Sequence, residues 1–341
     1  MKTILSSALL AGASLQALAT TAVAEDGPGF VWEGEIEIGN DQVVSSNTPG
    51  NEIRDTYASF YLSGAYTFGS GIRIFGALTA ESLTGATMDR TFDDMGVYVE
   101  ELNISFPVGS AVTITAGKLH PVFGRAWDEA AGFYGSAFSE DYELIEQIGI
   151  IADFDGGDAG VFSFALFYAD DTVLSNSWGF RRGRNTTAAG GAGNTGQLDN
   201  VALAWTKEFG DTSVQLAARR LSAGTGDVSD ETGVVASIGH TFASGLYLFG
   251  EAAAFDGFGG TADNARYVTL NAAYGVGEHW TFSGGVGSAD IDSAGKTDMV
   301  TLAAEYTLND SLTFGAGVAR VKGGGVRDTL VGINLIWTFG G

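Results

Sequence analysis

From Phe30 to the end of the chain, apolar and polar residues alternate with a period of two rather than 3.6. In the run Trp32–Ile38, Glu33, Glu35 and Glu37 share one face. Trp32, Gly34, Ile36 and Ile38 share the other. Ala58, Phe60, Leu62, Gly64, Tyr66 and Phe68 repeat the pattern, as do Val268, Leu270, Ala272 and Tyr274. Val331, Ile333, Leu335, Trp337 and Phe339 carry it to the C-terminus. Short turns rich in Gly, Asn and Asp interrupt it near 70, 108, 157, 211, 244, 277 and 310. Longer polar loops fall between them, near 39–53, 82–95, 119–146, 171–198, 222–232, 257–265, 288–297 and 321–328. Seven turns and eight loops make fifteen connections, and so predict sixteen strands with both termini at the short-turn end.

A soluble sandwich also alternates, but three features point to lipid instead. Strand-like runs of about ten residues match a tilted membrane strand. Aromatics gather beside the turns, at Tyr66, Phe68, Phe106, Phe154, Phe209, Phe242, Tyr274, Trp280, Tyr306 and Phe339, where an interfacial girdle belongs. Connections are short on one side only. A sheet in lipid must close, because an open edge leaves backbone groups without partners. The fold predicted is all-β, a transmembrane antiparallel barrel of sixteen strands.

Composition narrows this further. The 341 residues include 51 glycines, four prolines and no cysteine, with 41 acidic against 17 basic residues and a net charge of −24. A disordered acidic tail lacks 45% hydrophobic residues, and a nucleic-acid binder carries the opposite charge. Disulfide scaffolds and thiolate metal sites need cysteine. Residues 1–24 read as a signal peptide, with Lys2, an apolar core and Ala22-Val23-Ala24 before the cut. The exported chain is then one barrel domain, 25–341, with 16 basic and 41 acidic residues. Strand glycines such as Gly64, Gly76, Gly250 and Gly284 are expected to face lipid, which fills the space of the missing side chain.

The alternation of short turns and long loops, the even strand count and the final Leu335-Ile336-Trp337-Thr338-Phe339 resemble the general porins of Gram-negative alphaproteobacteria. Gly340 and Gly341 after Phe339 depart from the usual terminal aromatic. The segment after strand 5, LHPVFGRAWDEAAGFYGSAFSEDYELIE, resembles the long third loop of such porins. The resemblance implies that this loop folds into the lumen and sets its constriction. It also implies an outer-membrane homotrimer that passes small hydrophilic solutes passively, among lipid and lipopolysaccharide.

Alternation assigns the lumen face. It takes Glu33, Glu35 and Glu37; Arg73, Thr79 and Glu81; Glu101, Asn103 and Ser105; and later Asp153, Gln215, Arg219, Glu251, Thr269, Asn271 and Glu305. Charge facing lipid is costly, whereas facing water it stays solvated. The resemblance suggests a transverse field across the neck, with Asp128, Glu129, Glu140, Asp141 and Glu143 on the loop and Arg54, Arg73 and Arg219 on the wall. An acidic neck implies cation preference. Arg181, Arg182 and Arg184 either bind phosphates of lipopolysaccharide or pair with neighbouring acids. Calcium on acidic outer loops is a further candidate, without EF-hand spacing.

No cofactor is expected, and no catalytic group. His120, His240 and His279 do not pair at i, i+4, and no nucleophile elbow is present. Two other functions stay open. One is a solute-selective porin, with Trp127, Phe133, Tyr134 and Tyr142 as a track for sugars. The other is a non-conducting structural barrel or adhesin.

Overall fold

A computed structural model describes residues 28–341, so the expected leader lies outside the described residues. Sixteen long antiparallel strands make one closed sheet. They are β1 (Gly29–Ser46), β2 (Arg54–Thr67), β3 (Arg73–Ser82), β4 (Met95–Val108), β5 (Val112–Leu119), β6 (Gln147–Asp155), β7 (Val161–Ala169) and β8 (Asn200–Phe209). The second half is β9 (Thr212–Leu221), β10 (Glu231–Thr241), β11 (Leu246–Asp256), β12 (Ala265–Val276), β13 (Trp280–Ile291), β14 (Gly295–Asn309), β15 (Leu312–Gly323) and β16 (Val326–Gly340). Each strand pairs with its sequence neighbour, and β1 pairs with β16 from Glu33↔Gly340 to Ser46↔Asp328, which closes the ring. Gly341 extends that seam by exchanging backbone hydrogen bonds with Trp32 at 3.0 Å.

Along β10, residues alternate between buried and exposed almost without a break. The exposed face carries Leu216, Val234, Ile238, Leu270, Val300, Leu302 and Ile333, each half or more exposed. In water each such side chain forgoes about 1.5–3 kcal/mol of burial, so this belt is the lipid face. Beside the short turns, Trp280 stacks on Phe282 at 5.7 Å, and Trp337 meets Phe339 at 5.1 Å. These rings form the interfacial girdle. Among the described residues no helix is long and apolar enough to cross a membrane; strands do the crossing.

All seven short turns lie where the sequence puts them, but three of the long loops are shorter than read. β1 runs to Ser46, and the connections after β13 and β15 shrink to residues 292–294 and 324–325. The reason is physical. Above the lipid the outward face of a strand is wet, so its apolar run ends while the backbone ladder continues.

The wall has a notch where β5 and β6 stop early. Lys118 pairs with Leu102, so β4 residues 95–101 have no partner in β5. The segment 170–199 folds over the gap, and Trp178–Gly179 pair with Gly96 and Val97. Lys118, its side chain fully buried, ties the patch down at 2.6 Å from Glu146 and 2.8 Å from Asp170. Arg182 reaches Glu146 at 2.5 Å and lies 4.3 Å from the centre of the Tyr98 ring. Lys118→Met leaves two carboxylates without their buried cation, a change of about 3–5 kcal/mol. Limited proteolysis should then cut within 170–185 several-fold faster, with the barrel still closed on gels; an unchanged cutting rate would show that Lys118 does not hold the patch.

Candidate functional site

The segment 120–146 leaves the wall between β5 and β6 and crosses to the far side of the ring. Its contacts are with the buried, polar face of the strands. The Gly124 amide donates to Gln215 Oε1 of β9 at 3.0 Å. The Arg125 amide donates to Glu251 Oε2 of β11 at 2.6 Å, and Tyr142 donates to the other oxygen of the same carboxylate at 2.6 Å. Asn271 of β12 exchanges two bonds with the Ala131 backbone at 3.1 and 2.9 Å. Tyr134 donates to Asp41 of β1 at 2.5 Å. A segment touching strands from β9 round to β1 on that face lies inside the barrel.

Glycines admit its aromatic rings. A Cβ on Gly317 of β15 would stand 2.6 Å from Phe133 Cβ, and one on Gly332 of β16 would overlap the Phe133 ring. Phe138 fits against Gly287 of β13 in the same way, at 2.6 Å. Gly64, Gly76, Gly250 and Gly284 face outward, as alternation requires. At Gly250 and Gly284 the side chains of Leu270 and Leu302 lie over the gap, so protein rather than lipid covers it.

Between the segment and the wall remains a cavity of about 660 Å³. Arg73, Glu101, Asn103 and Thr115 line it from β3–β5, Glu208 and Gln215 from β8–β9, and Trp127, Asp128, Glu129 and Glu143 from the segment. Burial pushes the Asp128 carboxyl up to about 6, helped by Glu129 and Glu251 and opposed by Arg125. Burial and then Asp128 push Glu143 up to about 9. Asp128 Oδ1 makes no hydrogen bond to a described residue. Glu129 pairs with Arg125 at 3.0 Å and accepts from Tyr247.

The five loop acids therefore divide. Asp128, Glu129 and Glu143 line the cavity. Glu140 and Asp141 lie outside its lining; Tyr267 donates to Asp141 at 3.0 Å, and burial raises both carboxyls. The three wall arginines divide as well. Arg73 lines the cavity. Arg54 sits opposite outward-facing Gln42, so its side chain is on the outer face at the loop-side rim. Its buried neighbour Asp55 faces inward instead, and Arg90 binds it at 2.6 Å. Arg219 faces inward but is engaged: it pairs with Glu231 at 2.6 Å, donates to the Tyr142 carbonyl, and lies 4.4 Å from the Phe123 ring and 4.8 Å from Phe255.

Glu33, Glu35, Glu37, Glu81, Glu101, Glu251 and Glu305 all lie on the inward face. Glu37 is fully buried, taking hydrogen bonds from Tyr57 and Asn334 at 2.7 Å, and Tyr98 donates to Glu81 at 2.7 Å. Alternation alone misses Glu100. A bulge between Ala77/Leu78 and Glu101/Val99 turns both Glu100 and Glu101 inward, and Thr79 donates to Glu100. Arg182 pairs with an acid, and Arg184 donates to the Asp171 carbonyl at 2.7 Å. Of the aromatic track, Phe133 and Tyr134 are buried against the wall. His120, at the loop's start, has its imidazole pushed down to about 4 by burial and Lys118.

No protein-family model matches the chain, and no curated protein does. Solved structures match it. Pseudomonas putida OprB superposes with a TM-score of 0.67 at 12% identity, over 92% of this chain and 94% of its own. An anion-selective porin from Comamonas acidovorans gives 0.59 at 14%, over 92% and 100%. The trimer form of OmpT, an outer-membrane protein of Vibrio cholerae, gives 0.59 at 11%, over 92% and 100%. The fold is that of the Gram-negative porins.

Proposed function

We propose that this chain is an outer-membrane channel for passive diffusion of small hydrophilic solutes and ions, that it prefers cations, and that it works as a homotrimer among lipid and lipopolysaccharide. One observation supports the reading: beside a segment lodged inside a closed barrel lies a polar cavity of about 660 Å³ in whose lining acids outnumber bases. The neck is formed by Asp128, Glu129 and Glu143 on the loop, with Arg73 and Glu101 on the wall. Unlike charges across a narrow gap orient dipolar solutes, and an excess of carboxylate raises the local concentration of cations. The Comamonas acidovorans porin of this fold is anion-selective, so the fold alone does not set ion preference and the side chains of the neck do.

Purified protein in planar bilayers should give stepwise ohmic channels. In a tenfold KCl gradient the reversal potential should have the sign of a cation-preferring pore. Absence of conductance at any voltage would sink the channel reading and favour a structural barrel. Clear anion preference would sink the cation reading alone. Arg73→Ala should strengthen cation preference, because it removes the wall cation facing the acids.

A further inference from the structure

The inward loop has a second task, and it concerns how the barrel closes. Fifteen of the sixteen strand pairings join sequence neighbours. The sixteenth, β1 with β16, joins the two ends of the chain. No hairpin turn sets its register; the seam's own ties are a bulge at Val43/Ser45 and the Asn334–Glu37 hydrogen bond at 2.7 Å. Side-chain alternation forbids a slip of one residue, which would turn every side chain to the wrong face. A slip of two residues keeps all faces correct and loses few of the ladder bonds, so alternation cannot forbid it. It would, however, change the stagger of the whole ring.

At this seam Asp41 of β1 stands directly opposite Gly332 of β16. Two adjacent loop residues read that one pair. Tyr134 donates to Asp41 Oδ1 at 2.5 Å, and the Phe133 ring occupies the space that a side chain on Gly332 would need. A slip of two would put Leu330 or Asn334 where Gly332 stands. If β16 shifts, either side chain collides with Phe133; if β1 shifts instead, Asp41 leaves the Tyr134 hydroxyl. Phe133 and Tyr134 form a buried apolar cluster with Tyr57, Met299, Val321 and Leu330, so their position is fixed from several strands at once.

The geometry points to Phe133 and Tyr134 as a gauge that sets the register of the closing seam. This task goes beyond conduction. The absence of native cysteine gives a clean background for its test. Asn40 and Ile333 are register partners on the outward face, and directly opposed residues lie within the Cα range of a disulfide, about 4.4–6.8 Å. Cysteine pairs are placed at 40/333, for the native register, and at 40/331 and 40/335, for slips of two. The protein is refolded into detergent micelles and oxidised. With the native loop, only 40/333 should cross-link. With Phe133→Ala, 40/331 or 40/335 should cross-link as well, and the yield of heat-modifiable closed barrel should fall several-fold. Tyr134→Phe removes one hydroxyl and carries the same readout where Phe133→Ala closes too little barrel to analyse. Cross-linking at 40/333 alone, with parental yield in both variants, would overturn the assignment. Neither readout involves conductance, so either result leaves the channel proposal to its own test.

Discussion

Arg219→Met should free the inward loop and leave the barrel closed. The Arg219 guanidinium is buried, pairs with Glu231 at 2.6 Å, donates to the Tyr142 carbonyl and lies beside both the Phe123 and Phe255 rings. It thereby joins β9 to β10 and to both arms of the loop, since Phe123 lies on the outgoing arm and Tyr142 on the return. Methionine restores some of the packing but leaves Glu231 buried with only the Gly259 amide, at 2.8 Å, for a partner. Removing one member of a buried pair costs about 3–5 kcal/mol. The ladder of sixteen strands absorbs such a loss. The loop, held by a few side-chain bonds and seated rings, does not. Single-channel conductance should rise and the open-channel current should become noisy, and protease should cut within 120–146. Arg219→Lys should fall between parent and methionine, because an ammonium keeps the charge but not the fork that serves Glu231 and Tyr142 together. Conductance and noise equal to the parent's would place the clamp elsewhere, with Glu251 the next residue to change.

The sequence yields the barrel because its dominant signal is one that lipid enforces. Period-two alternation persists wherever one strand face meets hydrocarbon, and the seven turns stand out because Gly, Asn and Asp interrupt it. The signal fails where lipid stops. Near 39–46, 288–291 and 321–323 the outward positions turn polar, at Asn40 and Gln42, Ser288 and Asp290, and Lys322, and read as loop although the strands continue. It also fails at the bulge, where a single extra residue brings Glu100 inward beside Glu101. Arg54 departs from its expected place for a related reason. A resemblance in loop order says that cations face the acids, yet it carries no register, and only its pairing with Gln42 puts Arg54 outside. The fastening of the loop was the least legible part. Gly287, Gly317 and Gly332 look like other strand glycines, and their role shows only when Phe133 and Phe138 are seen seated over them.

Cation preference should rise with pH in two steps. Asp128, with its carboxyl raised to about 6, is mostly neutral at pH 5 and mostly ionised above pH 7. Glu143, raised to about 9, stays neutral until well above that. Each ionisation adds one negative charge to the neck. At about 4 Å in a water-filled passage one charge is worth about 1 kcal/mol, or roughly fivefold in the local concentration of a cation. Salt screens this strongly, so the reversal potential is best read near 0.1 M, where the Debye length is about 10 Å. Asp128→Asn should remove the step near 6. Because Asp128 also helps to raise Glu143, that variant should move the upper step to lower pH, and the two steps belong to the pair rather than to either residue. Glu143→Gln should remove the upper step and leave the lower one. Stability follows the opposite sense. A carboxyl raised in the folded loop contributes fully below the ordinary carboxylate range, and its contribution is lost as pH climbs through the folded value. Packing of the loop should therefore loosen towards pH 9, with noise rising alongside selectivity. A reversal potential that stays flat from pH 5 to 10 would mean that these two carboxylates do not face the conducting path.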